Sequence, residues 1–395
     1  MKVTYSVLFC AALVAASLFP QAAEGQASRR ANNTAVVSDY FYQVISDSGS
    51  ADATAITREM ELRFGAYNRL FRFDPYRLAS PLAVRAFRTQ AAYDEYVSAR
   101  LGHTTPGAVY LHYNQRDRRE LVIHRGSPEE AQALSYQGFI QFLRAFVPNP
   151  PAWIRDGFAH YFSTLHYDAQ WEELVYEENL SWLELVKGLG TARPSLESIL
   201  LSDSQAAPEN FQALSWSLVS FFLNNGSSDY FRTLTGIFAA LSETASARAN
   251  GEAALRELRI WADLADLDRD YARYIATRKT FGEFIRDGQA AYAAGDLLGA
   301  ELNFLGAADL QPQHYAPHYY LGLLAYEGEN FAMAQGYYEM ALQYGAEAAL
   351  VYYALGLNAA SAGRNADAIN YLRQAAEASP SQYSERVEAF LQRLH

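Results

Sequence analysis

A single cysteine, Cys10, stands in the whole chain of 395 residues, which excludes an intrachain disulfide framework and a cysteine-based zinc site. Basic residues are scarce as well: 32 Lys and Arg face 44 Asp and Glu, a formal net charge of −12, and no long Lys/Arg run occurs. The electrostatic footprint of a phosphate-backbone binder is missing, so no nucleic-acid partner is expected. Apolar runs are short. None after residue 25 reaches the ~18 residues of a membrane span, so no transmembrane segment is expected once a leader is removed. The patterns G-x-S-x-G, G-x-x-x-x-G-K-[ST] and G-x-G-x-x-G are all absent. With them go the local signatures of α/β-hydrolases, P-loop enzymes and dinucleotide-binding enzymes.

What the chain does have is bulk and aromatics. At 50% hydrophobic, with 28 Tyr and 22 Phe, it can bury a sizeable core in two or three domains. Lys2 followed by the apolar run Val7 to Phe19, Pro20 and small residues up to Ala27 predicts an export signal over residues 1–25, cleaved between residues 24 and 28. An uncleaved anchor is the alternative. Cleavage would discard Cys10 and leave a cysteine-free chain outside the cytoplasm, periplasmic or secreted.

Residues 26–37 are small and polar and predict a flexible lead-in. Four strands are expected next, around Tyr40–Ile45, Leu82–Arg88, Gly107–Tyr113 and Glu120–His124, the last two joined by a hairpin loop at Asn114–Arg119. Helices over Ala55–Phe71, capped by Thr54, and Gln90–Leu101, capped by Thr89, lie between them. From Ser127 the pattern is almost wholly helical. Ser127-Pro128-Glu129-Glu130 predicts a capped helix start, Asn149-Pro150-Pro151 a rigid break, and a new helix begins near Ala152.

The last third repeats itself. In windows of 34 residues starting at Phe281, Tyr315 and Ala349, Gly288, Gly322 and Gly356 share one position. Ala300, Ala334 and Ala368 share another, as do Ala307, Ala341 and Ala375, and a large residue recurs at Phe304, Tyr338 and Leu372. Small residues let the two helices of a pair approach, and the large one fills the space between them. This pattern resembles the tetratricopeptide repeat and implies three repeats over 281–381 (281–314, 315–348 and 349–381), closed by an amphipathic capping helix over 382–395. In that family the groove-facing positions of the first helix match Tyr292, Tyr319, Leu323, Tyr326 and Tyr353, which implies a protein or peptide partner held along the groove. Packing of these tyrosines against the next repeat is the competing reading.

Leu134 to Ser163 has a second recognisable frame: a helix, a Pro-bounded break, then P-x-W-x-x-[acid]-G-x-A-x-x-F. With Arg193-Pro194-Ser195-Leu196-Glu197 and Ala213-Leu214-Ser215-Trp216-Ser217-Leu218-Val219, it resembles the peptidase MA-like, gluzincin-type metallopeptidases. The resemblance implies a peptidase-like α+β domain over residues 38–278, a short N-terminal sheet with a helical second half, followed by the all-α repeat solenoid. The chemistry does not carry over. Tyr136 stands at the first zinc-ligand His, Gln137 at the catalytic Glu, Ile140 at the second His and Asp156 at the third ligand. Zinc hydrolysis needs three protein ligands and a carboxylate to take the water's proton. Ile140 binds no metal and Gln137 is no base at neutral pH. Asp156 and His160 share a helix face and, with His166 nearby, are the residues from which a metal site could be rebuilt. The expectation is an exported, non-catalytic binding or scaffold protein without zinc or another cofactor; an active zinc metallopeptidase with atypical ligands is the alternative.

Overall fold

The computed structural model describes residues 34–168, 173–175, 178, 180–202 and 207–394. The expected leader and most of the lead-in lie outside them. Among the described residues no helix is long and apolar enough to cross a membrane.

The N-terminal part is a five-stranded sheet in the order β1-β2-β3-β5-β4. Its strands are β1 (Ala35–Ser38), β2 (Tyr42–Ser46), β3 (Leu82–Phe87), β4 (Ala108–Leu111) and β5 (Glu120–His124). Helix α1 (Ser50–Phe71) connects β2 to β3, which pair in parallel, and α2 (Gln90–Leu101) follows β3. The central strands β3 and β5 are also parallel, while β4 and β5 form the antiparallel hairpin that the sequence predicts. Leu121, Val122 and Ile123 are all buried because both sheet faces are covered. Leu121 and Ile123 join the main core with residues of α1, whereas Val122 packs with Tyr93 and Val97 of α2 on the opposite face.

Three local expectations are corrected. The last residues of the expected lead-in form a strand, since β1 pairs antiparallel with β2, Val37 opposite Val44. Helix α1 starts at Ser50 and is not capped by Thr54. Asp52 in its first turn accepts from the Ser46 hydroxyl at 2.6 Å and pairs with Arg125 at 3.2 Å, tying the earlier turn down. Ser127 does not cap the next helix either; its buried hydroxyl has no partner. Pro128 and Glu129 form a turn, and the Glu130 carboxylate accepts from the Gly126 amide at 2.6 Å and pairs with Arg125. Thr89 does cap α2, accepting from the Ala92 amide.

Helix α3 (Glu130–Phe146) breaks before the proline run, and α4 (Ala152–Tyr161) turns back beside it. A small hairpin, β6 (His166–Asp168) with β7 (Glu173–Val175), follows and has no counterpart in the sequence reading. Then come α5 (Ser181–Gly188), α6 (Leu196–Leu201), α7 (Phe211–Asn224), α8 (Ser228–Ala240), α9 (Ala247–Trp261) and α10 (Leu264–Thr277). Gly157 fixes the closest approach: a Cβ there would lie 2.6 Å from the Ser215 carbonyl oxygen, so only glycine lets α4 rest on the α7 backbone. The main core is rich in phenylalanine, with Phe64, Phe71, Phe139, Phe142 and Phe158 all nearly inaccessible.

The C-terminal third is a stack of helical hairpins: α11 (Phe281–Ala293) with α12 (Leu297–Leu310), α13 (Tyr315–Glu327) with α14 (Phe331–Gln343), and α15 (Ala348–Ser361) with α16 (Asn365–Ala378). Helix α17 (Pro380–Leu394) closes it. All six repeat-position alanines are fully buried, and Phe304, Tyr338 and Leu372 fill the space between the helices. The junction with the N-terminal part is polar: Lys187 of α5 donates to the Arg278 carbonyl at 2.6 Å and pairs with Glu283 of α11 at 2.7 Å. Glu283 also completes a capping box with Thr280 at the start of α11.

Candidate functional site

Tyr136, Gln137 and Ile140 of α3 and Asp156 of α4 all line one cleft of about 840 Å³. The chain brings them together because α3 and α4 are adjacent antiparallel helices whose break at Asn149–Pro151 aligns their facing sides. Tyr110 and His112, at the end of β4, and the first residues of α7 complete the walls. The volume falls within the roughly 300–1,000 Å³ usual for ligand clefts.

The cleft's polar groups are engaged in a way that leaves no metal-ligand set. Asp156 is buried and grips its neighbour Arg155, Nε donating to Oδ1 at 2.6 Å and Nη2 to Oδ2 at 2.8 Å. Gln137 Oε1 accepts from the Tyr110 amide at 3.2 Å, so this side chain ties α3 to β4. Burial, aided by the Asp156 charge, pushes the Tyr136 hydroxyl up to about 12, so it stays protonated. His160 does not join Asp156 as a ligand. Its ring is wedged between Tyr136 and Trp182, centroids 4.7 and 4.3 Å away, and its buried Nε2 has no hydrogen-bond partner. Burial holds it down to about 4, against the pull of Asp156. His166 is exposed, its Nδ1 3.3 Å from the Thr164 carbonyl oxygen. Among the described residues no three His, Cys, Asp or Glu side chains converge.

His112 and Arg144 are among the cleft residues that escape the sequence reading. His112 is held down to about 4 by burial and by the charges of Arg144 and Arg119. Arg144 lies half-buried in the last turn of α3 and makes no hydrogen bond or ion pair with any described residue. A signal for it exists: Gln137, Ile140 and Arg144 recur at helical spacing, on one face.

The five groove residues of the repeats are all half-buried. Tyr319, Leu323 and Tyr326 lie against a single cluster around Ala334 and Tyr338, while Tyr292 and Tyr353 pack on the clusters to either side. The ring of Tyr353 stands 5.0 Å from that of Tyr383 in the capping helix. Two hydroxyls stitch neighbouring repeats: Tyr292 donates to Glu327, and Tyr326 bonds to Ser361 Oγ at 3.0 Å, each partner 35 residues further on. Part of each side chain therefore packs within the repeats.

No family model and no curated protein matches this chain. Among solved structures it is similar to the MamA RS-1 ArsTM double mutant, at 23% identity over 33% of this chain and 66% of that one, with a TM-score of 0.25. It is also similar to YrrB, described as a TPR protein with an unusual peptide-binding site, at 12% identity over 55% of this chain and 92% of that one, with a TM-score of 0.28. The repeat architecture stands on the helix pairs and their 34-residue spacing. Residues 281–394 form a tetratricopeptide-like solenoid.

Proposed function

We propose that this chain is an exported, non-catalytic, peptidase-like protein that binds a protein or peptide segment through its helical repeats, as a scaffold factor of the cell envelope. Export rests on the leader over residues 1–25. Peptidase-like character rests on the α3–break–α4 frame and its aligned cleft. The observation that supports a silent site most directly is the state of the four motif positions: Tyr136, Gln137 and Ile140 offer no zinc-ligand set, and Asp156 is committed to Arg155. The binding role rests on the solenoid, an architecture that presents an extended concave surface. A combined assay tests the reading: zinc content by elemental analysis, casein hydrolysis with and without chelator, and affinity capture from envelope extracts. Stoichiometric zinc with chelator-sensitive hydrolysis would establish the atypical metallopeptidase instead.

A further inference from the structure

The cleft has an unbalanced charge. Among the described residues its lining carries two guanidiniums, Arg144 and Arg155, and one carboxylate, Asp156. His112 beside them is held neutral down to about pH 4. Arg155 and Asp156 neutralise each other through two hydrogen bonds. Among the described lining residues that leaves one unpaired positive charge, on Arg144; Arg119, outside the lining, adds its charge to the same surroundings. Leaving a guanidinium half-buried without a partner costs desolvation energy that folding does not recover. Burial and the nearby Arg155 and Arg119 charges pull Arg144 below its ordinary value, against the pull of Tyr110 and Asp156.

We propose that this cleft binds a carboxylate monoanion, with the guanidinium of Arg144 as its counter-ion. The planar guanidinium fork matches a carboxylate at two points. One unpaired fork in the described lining suits a carboxylate; Arg119, outside the lining, is the further charge a phosphate dianion would draw on. Gln137 spends its carbonyl oxygen on the Tyr110 amide, which leaves its NH₂ as a further donor at the wall. Tyr110, Tyr136 and Phe211 supply aromatic surface for an apolar body attached to the carboxylate. A terminal residue of a peptide has this chemistry, as does a small aromatic acid. The inference is independent of whether the repeats bind a partner.

The test uses the purified protein and three probes of matched size: N-benzoylglycine, its neutral amide, and phenyl phosphate. Binding is read by saturation-transfer NMR and titration. N-Benzoylglycine should bind at millimolar concentration or below, and the amide should not. Arg144→Gln should weaken binding about tenfold or more while keeping or raising the melting temperature, because it removes an uncompensated charge. Arg144→Lys should fall between, keeping charge but losing the fork. Should Arg144→Gln fail to fold, Ile140→Trp, which fills the wall without altering charge, should abolish binding. Equal binding of acid and amide, no binding of the acid, or undiminished binding to whichever variant folds would overturn the proposal. Tighter binding of phenyl phosphate would overturn the assignment to a carboxylate.

Discussion

Asp156 holds Arg155, the residue directly before it on α4, in a two-point ion pair of 2.6 and 2.8 Å, both side chains largely buried. On the peptidase-like reading proposed above, the position of Asp156 would supply the third zinc ligand. Here the carboxylate already has its cation. The purified protein should hold no stoichiometric zinc, and chelators should change no property of it. Installing Tyr136→His, Gln137→Glu, Ile140→His and Asp156→Glu together should raise zinc affinity only when Arg155→Ala is added, because the arginine competes for the same oxygens. Elemental analysis of the two sets checks this; equal zinc uptake with and without Arg155→Ala would refute the competition.

The repeats carry a sharper stability test. A Cβ at Gly322 would lie 2.6 Å from the ring of Tyr338, whereas one at Gly336 would meet nothing within 4 Å. Alanine favours a helix interior over glycine by roughly 1 kcal/mol at either place. Gly336→Ala should therefore stabilise by about 0.5–1 kcal/mol. Gly322→Ala should destabilise by about 1–3 kcal/mol, because overpacking against a buried ring outweighs propensity. Urea titrations of both variants decide it. A stabilised Gly322→Ala would mean that the helix pair can open at no cost.

Two buried histidines, His112 in the cleft wall and His160 behind Tyr136, set a pH dependence. The ordinary value for histidine is 6.5, and burial holds both His112 and His160 down to about 4. Between these values the unfolded chain takes up protons that the folded chain refuses, so stability is full above about pH 6.5 and declines as pH falls towards 4. The groups facing His160 are Asp156, Tyr136 and Trp182, of which only Asp156 opposes the shift. His160→Phe should keep the ring packing, leave the melt near neutral pH unchanged or raised, and flatten the decline between pH 7 and 5. An unaltered pH profile would show that the imidazole is not the group being titrated.

The sequence made the solenoid legible because each hairpin closes locally: Gly288 against Phe304, Gly322 against Tyr338 and Gly356 against Leu372 are contacts 16 residues apart, repeated in register. The sheet is different. Four strands were readable from their composition, but the order β1-β2-β3-β5-β4 follows from pairings between distant segments. Strand β1 escaped because Ala35–Ser38 continues a small, polar stretch and has no buried residue, whereas β4, equally short and also at an edge, has three. The convergence of Tyr136, Gln137, Ile140 and Asp156 on one cleft was implied only by the resemblance to the metallopeptidase frame. The place of Arg144 there was not, because an arginine in the last turn of a helix is ordinarily a solvated group that favours the helix dipole. Only the tertiary structure shows that it faces a cleft without a partner.

The final prediction separates binding from packing in the groove. Tyr319 and Tyr326 lie seven residues apart on α13, two turns along one face, and both rest on the cluster around Tyr338. Their half-burial means that truncating them removes packing as well as any partner contact. Tyr326→Phe isolates the hydroxyl: it deletes the 3.0 Å bond to Ser361 and keeps the ring, so it should cost about 0.5–1.5 kcal/mol of stability. Ala334→Leu isolates overpacking, since Ala334 is fully buried, and should cost about 1–3 kcal/mol. The double variant Tyr319→Ala and Tyr326→Ala should be less stable than either. It should also weaken the partner by about 2 kcal/mol or more, roughly thirtyfold, because interface energy concentrates in a few aromatic anchors. The measurement begins with capture and mass-spectrometric identification of the partner. Its binding segment is then titrated against each variant well below that variant's melting temperature. Ala334→Leu, folded at that temperature, should bind as the unmodified protein does. If the double variant binds the segment as tightly as the control, the tyrosines hold the repeats together and the partner, if it binds the solenoid at all, uses another face.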